Sequence, residues 1–228
     1  MDSRILSEIP YHVDVALLLK ALHLDEGSDE GADVLRLVSA AESVARPKAL
    51  YQVAYVESRG DDHVVLNGAR LTSRILTVNL AGAHRVFAYV ATAGTEIEEW
   101  ANGMGDMLEK YWADAIMLQA VRAAMTFLGE HLQERYRPGR LARMNPGSLQ
   151  DWPLREQRPL FSLVGDVESS IGVRLTDSYL MVPRKSVSGI QFPTETSYEN
   201  CQLCDREPCP GRRAPYDATL FETKYRQT

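Results

Sequence analysis

Cysteine is scarce in this chain, and all of it sits in one place: Cys201, Cys204 and Cys209 are the three thiols, and none precedes them. An odd, late cluster excludes the disulfide framework that staples small exported domains. Long apolar runs are missing as well, since none approaches the roughly 20 residues needed to span a bilayer. Met1-Asp2-Ser3-Arg4 has neither a basic start nor a long apolar core, so no export leader is expected. The predicted setting is a reducing cytoplasm, with no membrane partner. Positive charge is in deficit, at 25 Lys and Arg against 31 Asp and Glu, a net charge of −6. That balance argues against a broad basic face and a nucleic-acid partner. The histidines (His12, His23, His63, His84 and His131) stand apart among apolar or turn residues and form no catalytic grouping. Gly94 and Gly103-Met104-Gly105 make no phosphate loop. Neither a serine nucleophile elbow nor a zinc-protease motif is present.

What remains is the profile of a globular protein, with 45% apolar and 25% charged residues in 228 positions, enough for one large domain or two small ones. Val13, Val15, Leu17, Leu18 and Leu22 read as a short strand and a helix. An acidic, glycine-punctuated break follows at residues 25–31. Val34, Leu35, Leu37, Val38, Ala41 and Val44 signal a second helix, which Pro47 stops. From Ala49 to Thr92 the period shortens. Tyr51, Val53 and Tyr55 alternate with Gln52 and Ala54, Val64-Val65-Leu66 leads into Asn67-Gly68, and residues 74–78 and 86–90 complete an expected set of antiparallel strands. Residues 93–101 turn helical. Met107 to Tyr136 is the longest helical pattern, on the order of 40 Å, and Arg137-Pro138-Gly139 ends it. A helix near residues 155–164 and strands near 173–181 and 186–192 close the series. The expected class is α+β, a mainly antiparallel twisted sheet braced by one long helix.

Three segments carry candidate chemistry. Arg143-Met144-Asn145-Pro146-Gly147-Ser148 sets a rigid proline before a residue free to take positive φ. Such a turn brings backbone N–H and C=O groups close to a ligand, with the fork of Arg143 placed to clamp a carboxylate. A plain turn with an exposed arginine has the same spacing. Ser186-Val187-Ser188-Gly189 offers two hydroxyls for a ribose or an amide, or an ordinary strand edge. Cys201-x-x-Cys204-x-x-x-x-Cys209, stiffened by Pro208 and Pro210, suits zinc or an iron–sulfur cluster, or else three free or redox-active thiols; no fourth ligand stands nearby. Arg206, Arg212 and Arg213 make this region locally basic, a charge that favours an anionic ligand or an acidic partner.

Taken together, these residues resemble the activation domain of vitamin B12-dependent methionine synthase. Arg143 to Ser148 is similar to that family's arginine-x-alanine-proline-glycine-tyrosine turn, with Asn145 and Ser148 as substitutions. Residues 175–178, 181–183 and 186–189 resemble its strand pair, Tyr216-Asp217 its C-terminal tyrosine-aspartate, and residues 111–115 the start of its long helix. A family carboxylate midway along that helix falls near Thr126 and Phe127, and the cysteines have no counterpart in the classical domain. The resemblance covers residues from about 105 onward, and the first hundred only in pattern.

The resemblance implies a single activation-like domain over 1–228, divided into an N-terminal α/β part (1–104), a part bearing the S-adenosylmethionine site (105–200) and a cysteine loop (201–217). It implies a free-standing reactivation subunit that presents S-adenosylmethionine for reductive methylation of cob(II)alamin held by a partner. Arg143, Asn145, Pro146, Gly147, Ser148, Ser186, Val187, Ser188, Gly189 and Tyr198 would bind the methyl donor. The expected partners are a corrinoid-carrying methionine synthase or methyltransferase subunit and an electron-donor protein. Two alternatives keep the fold: a corrinoid-docking redox module with an iron–sulfur cluster, or a zinc-stapled binding subunit without catalysis.

Overall fold

Alternating apolar residues in the first half of the chain lay down most of a sheet. The computed structural model describes residues 3–196, 198–209 and 212–226. The strands are β1 (Arg4–Leu6), β2 (Lys48–Arg59), β3 (His63–Leu66), β4 (Ala69–Thr72), β5 (Arg85–Thr92), β6 (Leu141–Met144) and β9 (Ser186–Pro193), with a small separate pair, β7 (Arg174–Leu175) and β8 (Met181–Val182). The main sheet runs β4-β3-β2-β5-β9-β6, antiparallel throughout. At 12 residues, β2 is long enough to pair β1 along its first half and β3 along its second. Asn67 and Gly68, both at positive φ, close the β3–β4 hairpin in the way an Asn-Gly pair favours.

The helices are α1 (Val15–Leu22), α2 (Asp29–Val44), α3 (Arg74–Asn79), α4 (Thr95–Asn102), α5 (Met107–Tyr136), α6 (Gln157–Val164) and α7 (Val167–Ile171). Asp106 starts α5 by accepting the Leu108 and Glu109 N–H groups, and Arg137 ends it in the left-handed region. The α5 stripe divides its work. Trp112, Ala113, Ile116, Met117, Ala120 and Val121 pack with α1, α2 and α4. Ala124, Leu128 and Leu132 then lie on Tyr51, Phe87, Tyr89 and Ala91 of the sheet. The opposite sheet face (Leu50, Ala88, Val90, Ala142, Met144, Ile190 and Phe192) buries α6 and α7 in a larger core.

Two expectations change. Residues 74–78 form α3 and not a strand. Ser73 caps it by accepting the Leu76 N–H at 2.9 Å, and Asp151 accepts the Arg74 and Ile75 N–H groups from far along the chain. The stretch near 173–181 is no continuous strand either. It is a short hairpin of β7 and β8, closed by the Thr176 N–H donating to the Leu180 carbonyl at 2.8 Å and by the Leu180 N–H donating to Thr176 Oγ1 at 3.1 Å.

Candidate functional site

α5 packs over β2 and β5, and along its flank it turns a polar stripe toward the neighbouring β9 and β6 at the sheet edge. Arg122, Thr126, Gly129, Glu130 and Gln133 recur at helical spacing, with Met125 between them. On β6, Ala142 and Met144 point into the core, so Arg143 points the other way, toward α5, opposite the buried Gln191. Two adjoining cavities result. One, about 630 Å³, is walled by Tyr89, Arg122, Arg143, Asn145, Arg212 and Arg213 among others. The second, about 580 Å³, shares Met125, Thr126 and Arg143 with it and adds Glu130, Gln191 and Glu199. Gly129 lies on the wall of the second, facing open space. Neither Arg122 nor Arg143 has a carboxylate within ion-pair distance among the described residues.

The turn after Arg143 is built as its sequence suggests, but its donors are used internally. Gly147 takes φ +83°. Its N–H donates to the Trp152 carbonyl at 2.7 Å, and the Ser148 N–H donates to the Asn145 carbonyl at 3.2 Å. Pro146 has no N–H, so the expected backbone donors do not face a ligand. Asn145 instead works through its side chain, donating to Tyr89 Oη at 2.7 Å and to the Ser188 carbonyl at 2.8 Å. Gly189 makes room for this: a Cβ there would stand 2.4 Å from the Met144 carbonyl oxygen and 2.6 Å from Asn145 Nδ2.

Across β9 lies a third cavity, about 580 Å³, lined by Asn145 to Ser148, Leu154, Gln157, Leu180, Met181, Arg184 and Ser186 to Ser188. The segment entering β9 is pinned from both sides. The Arg184 N–H and guanidinium donate to the buried Glu98 of α4, and Lys185 meets Asp114 of α5 at 2.8 Å. Ser186 Oγ is engaged by the Pro183 carbonyl and Thr92 Oγ1, at 2.7 and 3.0 Å. Ser188 Oγ is buried and has no partner among the described residues. Asn145 and Val187 line both this cavity and the arginine-lined one, so residues 145–148 and 186–189 are brought together with Arg143.

Tyr198 is not brought there. It is buried in the larger core, its hydroxyl donates to Asn200 at 2.9 Å, and burial, with Tyr225 next, pushes its pKa up. The thiols do not assemble either. Among the described residues no three His, Cys, Asp or Glu side chains converge as a metal set. Cys204 packs against the core, and Cys201 Sγ accepts the Arg213 N–H at 3.4 Å. Arg212 holds the loop instead, donating to the carbonyls of Cys201, Cys204, Arg206 and Ala214 and contacting Glu207 at 2.9 Å. This arrangement does not fit zinc or an iron–sulfur cluster. The residues that sequence reading missed are Tyr89, Arg122, Glu130 and Glu199. The polar stripe on α5 was a usable signal for Arg122 and Glu130. Glu199 meets Arg213 at 2.8 Å as an ion contact without hydrogen-bond alignment.

Comparison with known proteins agrees with the likeness read from the residues. Residues 128–209, from mid-α5 through β6, the turn and β9 to Cys209, match the family model "Vitamin B12 dependent methionine synthase, activation domain". No curated protein sequence matches the chain. The fold is similar to that in a crystal structure of the MetH reactivation domain bound to AdoHcy, at a TM-score of 0.59 and 16% identity, covering 88% of this chain and 81% of that one. The α+β architecture, an antiparallel curled sheet with helices, is that of the reactivation domain. Among the described residues no helix is long and apolar enough to cross a membrane.

Proposed function

We propose that this chain, acting as one activation-like unit, serves the reactivation of a cobalamin-dependent methionine synthase or a related corrinoid protein, and that it does so by presenting S-adenosylmethionine. The observation that carries the reading is Arg143. It stands in the segment matching the activation-domain family, points into a cavity, and among the described residues has no carboxylate within ion-pair distance. The related reactivation domain was crystallised with AdoHcy, which carries the same amino-acid and adenosine ends.

The residues present fit such a ligand. Arg143 is suited to its carboxylate. Glu130 and Glu199, which share a cavity with Arg143, are suited to its ammonium group. Glu130 lies one helical turn beyond Thr126, so a carboxylate stands close to where the family pattern expects one. The apolar wall of Leu154, Leu180 and Met181, with the unpaired Ser188 hydroxyl, suits an adenosine. The chemistry S-adenosylmethionine supplies is an electrophilic methyl group for a reduced cobalt carried by the partner. The chain's own part is to bind and orient, which agrees with a site that has no evident general base.

Calorimetric titration with S-adenosylmethionine tests the reading. Arg143→Ala removes a charge-assisted contact worth roughly 1.5–3 kcal/mol, so affinity falls about ten- to a hundredfold. A wild-type chain that binds no S-adenosylmethionine, alone or with a corrinoid protein, contradicts it.

A further inference from the structure

Tyr89 has an unspent hydrogen. Its side chain is fully buried from bulk water, yet it forms part of the wall of the arginine-lined cavity. The direction of its hydrogen bond follows from Asn145. The Ser188 carbonyl can only accept, so the amide atom 2.8 Å from it is the nitrogen. That nitrogen also lies 2.7 Å from Tyr89 Oη, and its second hydrogen makes the contact. The phenol oxygen is therefore an acceptor here, and its own hydrogen points elsewhere. Among the described residues no group accepts it. Burial raises the phenol pKa, with Arg143, Asn145 and Arg213 opposing, so the proton stays in place at neutral pH. A buried donor left without an acceptor is costly, and a site that supplies one relieves the cost.

The surrounding charge says what kind of acceptor. Arg122, Arg143, Arg212 and Arg213 line the cavity, and among the described residues no Asp or Glu does. Glu207 and Glu199 meet Arg212 and Arg213 from outside that wall, which leaves Arg122 and Arg143 as the unneutralised pair. Gly189 preserves the arrangement, since a Cβ would stand 2.9 Å from Tyr89 Oη.

We propose that this cavity is an oxyanion subsite, in which the Tyr89 hydroxyl donates to a carboxylate or phosphate that Arg122 and Arg143 hold by charge. The carboxylate form deepens the S-adenosylmethionine reading and rests on it; the phosphate form does not.

The test is calorimetry on the full chain and on Tyr89→Phe and Arg122→Gln, each titrated with S-adenosylmethionine, methylthioadenosine and inorganic phosphate. Methylthioadenosine keeps the adenosine and the sulfur but has no carboxylate. Each substitution is expected to weaken S-adenosylmethionine about tenfold and to leave methylthioadenosine within about twofold. If the wild type binds phosphate but not S-adenosylmethionine, and both variants weaken phosphate about tenfold, the subsite stands while the methyl-donor reading fails. Unchanged anion affinity in the variants, equal losses for methylthioadenosine, or a wild type that binds neither anion overturns the subsite. Should Tyr89→Phe fail to fold, Arg122→Gln, on the exposed face of α5, decides by the same pattern.

Discussion

Gly189 shows at the level of one residue how the groove is made. Any side chain there meets the Met144 carbonyl, a backbone atom that cannot swing aside, as well as Asn145 and Tyr89. Gly189→Ala is therefore expected to destabilise the protein by about 1–3 kcal/mol, as overpacking does. Urea denaturation checks this, and an unchanged midpoint contradicts it. The contrast with Arg143, Pro146 and Gly147 explains what sequence alone reveals. A proline-glycine turn acts on its immediate neighbours, so its conformation was readable from spacing. The role of Asn145 was not, because its partners Ser188 and Tyr89 lie 43 and 56 residues away. The thiols misled for a related reason. Their spacing suits a metal, but a guanidinium further along the same loop, Arg212, already ties the carbonyls together.

Long elements were the most readable part of the fold. The pattern from Met107 to Tyr136 is α5 to the residue, because thirty residues of periodic burial leave no competing assignment. Short apolar runs were not. Ile75, Leu76 and Val78 suit a strand by composition, and α3 forms there because Ser73 and the distant Asp151 satisfy its first N–H groups. Among the described residues of the cysteine loop (200–209 and 212–216), Arg212 is the organiser. Arg212 donates to four backbone carbonyls in it, at Cys201, Cys204, Arg206 and Ala214. Arg212→Ala is expected to raise amide hydrogen exchange across this loop by at least about tenfold while leaving the exchange of β5 and β9 unchanged. Equal protection of the loop in both proteins contradicts its assignment as organiser.

At the scale of the whole molecule, one sheet serves two purposes. The face toward α6 and α7 is core throughout, and the face toward α5 gives way at the β6–β9 edge to the cavities around Arg143. The architecture and the likeness to the reactivation domain were visible in the sequence. The charge layout of the groove was not, since Arg122, Arg143, Arg212 and Arg213 meet only on folding. Under the proposed function, the chain acts only in the presence of a corrinoid partner. The most direct measurement mixes the full chain with a cobalamin-carrying methionine synthase that lacks its own reactivation domain, a chemical reductant and methyl-labelled S-adenosylmethionine, and follows label into the corrinoid. The account predicts labelled methylcobalamin only when the chain is present, and much less with Arg143→Ala. Labelling at the same rate with and without the chain would contradict it.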